Sequence, residues 1–216
     1  ADITTTNEAP LTINGRDIQT AGVDLSNSAT TGGTLTVNVD SGTTGAFDWK
    51  INGDVEAGSV DVNGTSGNDT VDFTGSYTVT SRSGAINMSD AGAISTINLI
   101  NTNNLTATIT NADANDTNVT LPVIDGDNPG AGNEGSLTVN STGSVTVGSI
   151  FLSDGAGTGG TFTANFDTDG DGNETLSLSG TPVVGGISIS GGTDLNETFT
   201  IGGPSTTQNS GADVAF

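Results

Sequence analysis

The residues best suited to chemistry lie late in the chain. Asp167-Thr-Asp169-Gly-Asp171-Gly172 sets three carboxylates two residues apart and follows them with a glycine. Carboxylates at this spacing converge on one hard cation, and the glycine permits the sharp turn that brings them round. A complete loop of the helix–loop–helix type also needs a bidentate glutamate at its twelfth position, where Leu178 stands. Glu174 is the substitute, by a different loop path. The candidate metal set is therefore Asp167, Asp169, Asp171 and Glu174, with calcium as the cofactor; the competing reading is a solvated acidic turn. Asp125-Gly-Asp127-Asn128 is a weaker signal. Gly67-Asn-Asp69-Thr-Val lacks the double glycines of a calcium-binding nonapeptide repeat.

Other chemistry is excluded by what the chain lacks. With no His and no Cys there is no imidazole base, no thiolate nucleophile and no zinc set. No phosphate-cradling Gly-Lys-Ser/Thr loop is present. Paired carboxylates can cleave glycosides, but such sites also recruit basic and aromatic groups, and only Arg16, Lys50 and Arg82 are basic. The chain is expected not to be an enzyme. Against those three stand 25 acids, a net charge of −22, which argues against nucleic acid and anionic membranes as partners. Self-repulsion at this charge needs relief from salt or divalent cations. No apolar run approaches the roughly 18 residues of a membrane helix, so no membrane insertion is expected.

The elements that must position these carboxylates are strands. Apolar residues form 31% of the chain, low for a compact domain. They fall in period-2 runs of Val, Ile, Leu, Phe and Thr bounded by Gly, Asn, Asp and Ser, which is strand-and-turn patterning and not disorder. The stretch Asp17–Asn27 returns at Asp54–Gly64, and Ser144–Asp154 returns at Thr181–Gly191, each 37 residues on. A degraded copy starting near position 91 completes the series, leaving 16 extra residues between Thr110 and Ser136. A repeat of this length implies stacked units. The expected fold is all-β: a parallel β-helix (β-solenoid) of about five 37-residue turns. Each turn would advance the axis by about 4.8 Å, or about 24 Å for five. A β-sandwich, pilin-like subunit with strand exchange is the structural rival.

The organisation follows. Residues 1–10 form an extended N-terminal segment, 11–203 a single solenoid domain with an insertion within 111–135, and 204–216 a C-terminal tail. Long corner loops are expected at Asn27–Gly33 and Asp154–Gly160. Trp49 and Phe47, like Phe162 and Phe166, fall on alternating runs as core fillers; a carbohydrate platform is the other reading of Trp49. The absence of Cys removes any disulfide framework. A start at Ala1-Asp-Ile-Thr-Thr-Thr is what cleavage of a signal peptide at a small residue leaves. The expected localisation is extracellular or at the cell surface.

Leu11-Thr-Ile-Asn-Gly-Arg-Asp-Ile-Gln-Thr-Ala-Gly22 with Gly33-Thr-Leu-Thr-Val37, and Gly135-Ser-Leu-Thr-Val-Asn-Ser-Thr-Gly-Ser-Val-Thr-Val-Gly148, resemble the repeats of filamentous-haemagglutinin-type and autotransporter passenger proteins. The resemblance is one of repeat style over about two-thirds of the chain. It implies an exported right-handed parallel β-helix used for adhesion or surface coating. Two functions follow as expectations. One is an extracellular structural protein whose subunits, partnered by copies of themselves, stack end to end or exchange strands into a filament, sheath or surface layer. The other is a monomeric adhesin or carbohydrate-binding module of a larger surface protein, recognising surface glycans through the loop 111–135.

Overall fold

A computed structural model of the chain describes residues 2–5, 7–28, 31–39, 48–64, 70–89, 93–101, 107–111, 118–126, 134–153, 159–170, 172–192, 197–202, 206–207 and 214–215. Every paired strand is parallel to its neighbours, and no helix occurs among the described residues. The fold is the expected parallel β-solenoid, not the sandwich.

The strands form three columns. The first face holds β2 (Leu11–Gly15), β5 (Thr34–Val39), β8 (Ser59–Asn63), β10 (Ile86–Ser89), β12 (Ala107–Asn111), β14 (Leu137–Ser141), β16 (Thr161–Asn165), β19 (Gly186–Ser190) and β22 (Val214–Ala215). The second holds β3 (Ile18–Thr20), β6 (Asp48–Ile51), the leading parts of β9 (Thr70–Ser81), β11 (Ala93–Asn101), β13 (Val119–Asp125) and β15 (Val145–Phe151), then β17 (Thr175–Leu178) and β20 (Thr198–Ile201). The third holds β1 (Ile3–Thr4), β4 (Val23–Asp24), β7 (Val55–Ala57), the trailing parts of those four long strands, then β18 (Pro182–Val184) and β21 (Thr206–Thr207). The chain visits first, second and third face in turn, then climbs one rung. Between β9 and β11 the register slips near Ser95 and Ile97, a bulge that turns the chain from second face to third.

Register corrects the length of the turn. On the first face Leu11 pairs with Leu35, Leu35 with Val60 and Val60 with Ile86. The outward side chains on the same rungs show the step directly: Asn14 to Asn38 is 24, Asn38 to Asn63 is 25 and Asp61 to Asn87 is 26. Asn140 to Asn165 is again 25, and Phe162 meets Ile187 in the same register. The coil therefore advances by a step close to 25 along the sequence, and among the described residues the first face carries nine rungs. The 37-residue offset measures one coil plus one face: it carries Ile18 of the second face to Val55 of the third, and Phe162 of the first to Phe199 of the second. All three faces share one in–out alternation, so the sequence matches a strand as readily to the next face as to its own rung partner.

The insertion is also smaller than the sequence implies. Ala107 pairs with Leu137 and Thr110 with Asn140, a step of 30 that exceeds the common coil only slightly. Inside 111–135 lies β13, paired with β11 and β15 and burying Val119, Leu121 and Ile124. The remainder of that segment, 112–117 and 127–133, lies outside the described residues, as do Phe47 and the middles of both long corner loops. The terminal segments join the stack: β1 pairs with β4, β21 with β18 and β22 with β19.

Inward positions between the end rungs are mostly apolar and sealed. Leu35, Val37, Val60, Ile86, Leu137 and Phe162 on the first face, and Trp49, Val71, Val119, Val145 and Leu176 on the second, are at most 1% exposed. Each such side chain contributes about 1.5–3 kcal/mol by leaving water. Trp49 is a core filler, its indole N–H donating to Thr20 Oγ1 at 3.2 Å, so no aromatic platform is presented there.

Close coil approach demands glycine at the third-to-first corner. Gly58 donates its N–H to the Gly33 carbonyl at 2.9 Å, and a Cβ on Gly58 would strike the carbonyl of Gly32. Gly185 stands likewise against Gly160 and Gly159. Gly58→Ala and Gly185→Ala are each expected to lower stability by about 1–3 kcal/mol, read as a lower urea midpoint. An unchanged midpoint would contradict the packing.

Candidate functional site

The acidic loop follows β16. Phe166, 2% exposed, anchors its base in the core, and Thr168 N–H donates to the Ser141 carbonyl of the preceding coil at 3.1 Å. The backbone then turns through Asp167 at φ 52° and Gly170 at φ 72°, the left-handed region that Asp tolerates better than most side chains. Gly170 N–H donates to Asp167 Oδ1 at 3.0 Å, closing the turn on its own carboxylate. Asp167 is fully buried and its Oδ2 has no hydrogen-bond partner. The next coil passes directly over it, since a Cβ on Gly192 would collide with that oxygen.

The four sequence-derived ligands are not all brought together. Asp167 and the exposed Asp169 line one cavity of about 340 Å³, with Asn165, Thr168 and Ser190. Glu174 is buried, with its carboxylate against Gly172, and does not line that cavity. Asp171 lies outside the described residues. Among the described residues no three carboxylates stand close enough to hold a metal. The observation that fits a cation is the buried, unpartnered oxygen of Asp167, because an anion desolvated without a counter-charge is costly.

Coil register assembles two surfaces that a 37-residue period hides. On the third face, Asp2, Asp24, Asp54 and Glu56 line a groove of about 610 Å³. Local partners occupy them: Arg82 pairs with Glu56, Gly22 N–H donates to Asp2 at 3.0 Å, and Thr78 N–H donates to Asp54 at 2.9 Å. The outside of the first face is different in kind. Asn38 donates to Asn14 at 2.6 Å, Asn63 to Asn38 at 3.0 Å, and Asn165 to Asn140 at 2.7 Å, forming ladders along the axis. Beside them run Thr12, Thr36, Thr108, Thr138 and Thr163 in rung-to-rung register, interrupted by Asp61 and Asn87. The available signal was Thr-x-Asn recurring at 12–14, 36–38, 138–140 and 163–165 with the true coil spacing.

The two ends of the stack form the remaining feature. Leu11 and Ile13 of β2 are only partly buried, whereas their rung partners Leu35 and Val37 are sealed. At the far end Phe199 and Ile201 of β20 are partly buried, against sealed Leu176 and Leu178. Among the described residues, β2 and β20 each pair on one side only.

No protein-family model, curated protein or solved structure matches this chain.

Proposed function

We propose that this protein is an extracellular structural protein whose copies assemble end to end into a filament, sheath or surface layer. The observation that carries the reading is the pair of open ends. Among the described residues each presents a strand edge paired on one side only above partly buried inward residues, and such edges are templates for further parallel pairing. A coil laid on β2 would seal Leu11 and Ile13 as β5 seals its own inward residues. The acidic exterior repels copies over most side-on approaches, so growth along the axis is favoured. Absence of Cys and a repeat style that resembles that of exported passenger proteins suit a protein that works outside the cell. Light scattering of the purified chain should rise with concentration and added salt as fibres form. A chain that stays monomeric at millimolar concentration in high salt would defeat the reading.

Calcium enters this reading as a stabiliser of the seventh first-face rung, bound through Asp167 and Asp169 with Asp171 as a further ligand. Replacing Asp167 by asparagine keeps the shape and removes the buried charge. Asp167→Asn is expected to melt at or above the parent without calcium, and to lose the calcium-induced rise in Tm shown by the parent. Calorimetric titration showing no calcium heat for the parent would remove the metal from the proposal and leave the stacking intact.

A further inference from the structure

We propose that the outer surface of the first face is a lateral docking surface for a second copy of this chain, packed sheet against sheet. This inference does not depend on end-to-end stacking. It starts from charge. Of the 25 acidic residues only Asp61 lies in a strand of the first face, and none of the three basic residues does. A chain of net charge −22 repels its own copies over most approaches, and this face, with Asp61 as its one carboxylate, is among the approaches where that repulsion is weakest. Depletion of charge at the centre is the compositional mark of protein interfaces.

The face is also preorganised. Thr side chains are stiff about χ1, and the Asn amides are already fixed to one another along the axis. Docking therefore immobilises little that is free, and the ordering cost of association is small. Each laddered amide keeps one N–H and each Thr its hydroxyl for a partner.

Periodicity selects the partner. The side chains repeat with the rung spacing of about 4.7–4.9 Å along the axis. A partner with any other repeat drifts out of step over nine rungs, whereas a second copy stays in register along the full length. Two such faces related by a two-fold axis present identical columns to each other. The size suffices: eight rung intervals by five residues give a patch of about 38 by 16 Å, or about 600 Å² per copy. The total of about 1,200 Å² falls at the lower bound of stable interfaces. No outward aromatic lies in the first-face strands, so a glycan is the less suited occupant.

The test uses the full chain carrying Leu11→Lys and Ile13→Lys, which block one end of the stack. Sedimentation equilibrium should give a monomer–dimer system whose Kd tightens as salt screens the net charge. Adding Thr138→Glu with Thr163→Glu, rung partners on this face, should weaken the dimer at least about thirtyfold, since four carboxylates then enter the interface without counter-charges. Thr146→Glu with Ser177→Glu, rung partners on the second face, adds the same charge and should weaken it less than about threefold. Far-UV circular dichroism confirms that each variant is folded. A monomer at every concentration and salt, or equal loss with both pairs, overturns the proposal. Retention of a monomeric chain on an insoluble polysaccharide, abolished by the first pair, overturns it in favour of a glycan surface.

Discussion

Trp49→Ala is expected to remove about 3–5 kcal/mol of stability, the range for deleting a fully buried large aromatic. The side chain is 0% exposed, sits in register between Ile18 and Val71, and gives Thr20 its hydrogen-bond donor. The loss covers contacts to the coil before and the coil after, and leaves the Thr20 hydroxyl short of a partner. Because each coil touches only its neighbours, the damage stays local. Amide exchange should accelerate sharply in β3, β6 and β9, and little in β16 and β19. A loss under about 1 kcal/mol, or exchange raised evenly through the chain, would contradict a stacked core centred on this residue.

Lysine at both Leu11 and Ile13 is expected to leave the subunit folded and to abolish end-on assembly. Both side chains are partly exposed in the isolated chain, so long stems carry their charges outward to water at little cost. In a junction the same two ammonium groups are buried without counter-charges, at several kcal/mol each, so the critical concentration for fibres should rise by more than about a hundredfold. The same substitutions in the interior, at Leu35 and Val37, should unfold the coil instead. Fibres forming at the parent's concentration with the paired variant would show that junctions do not use the β2 edge.

The sequence makes the class of fold legible, because inward Val, Ile, Leu and Phe alternate with outward polar residues in runs such as Leu11–Gly15, Thr34–Val39 and Thr198–Ile201. It misleads on coil length for the same reason. β4, β8 and β19 carry near-identical short patterns although β4 lies on the third face and the others on the first, and a pattern cannot report which side of a coil it occupies. The spacing of Asn14, Asn38 and Asn63 carries the rung directly, because these side chains bond to one another from coil to coil. On the longer repeat that spacing is invisible, and with it the ladder and the neutral face. The acidic loop is legible in position but not in geometry. Asp167 turns inward because its backbone takes a left-handed conformation under Gly192, a contact made by the next coil. Glu174 is drawn against Gly172 and away from the cavity shared by Asp167 and Asp169.

Electron microscopy of fibres from the purified chain bears most directly on end-on stacking. Nine rungs at about 4.8 Å give an axial rise of about 43 Å per subunit, with strands perpendicular to the fibre axis and a meridional spacing near 4.8 Å. Fibres with that rise, lost on Leu11→Lys with Ile13→Lys, are the expected result. Discrete particles about 43 Å long at every concentration and salt, or fibres whose subunit rise is unrelated to nine rungs, would contradict it.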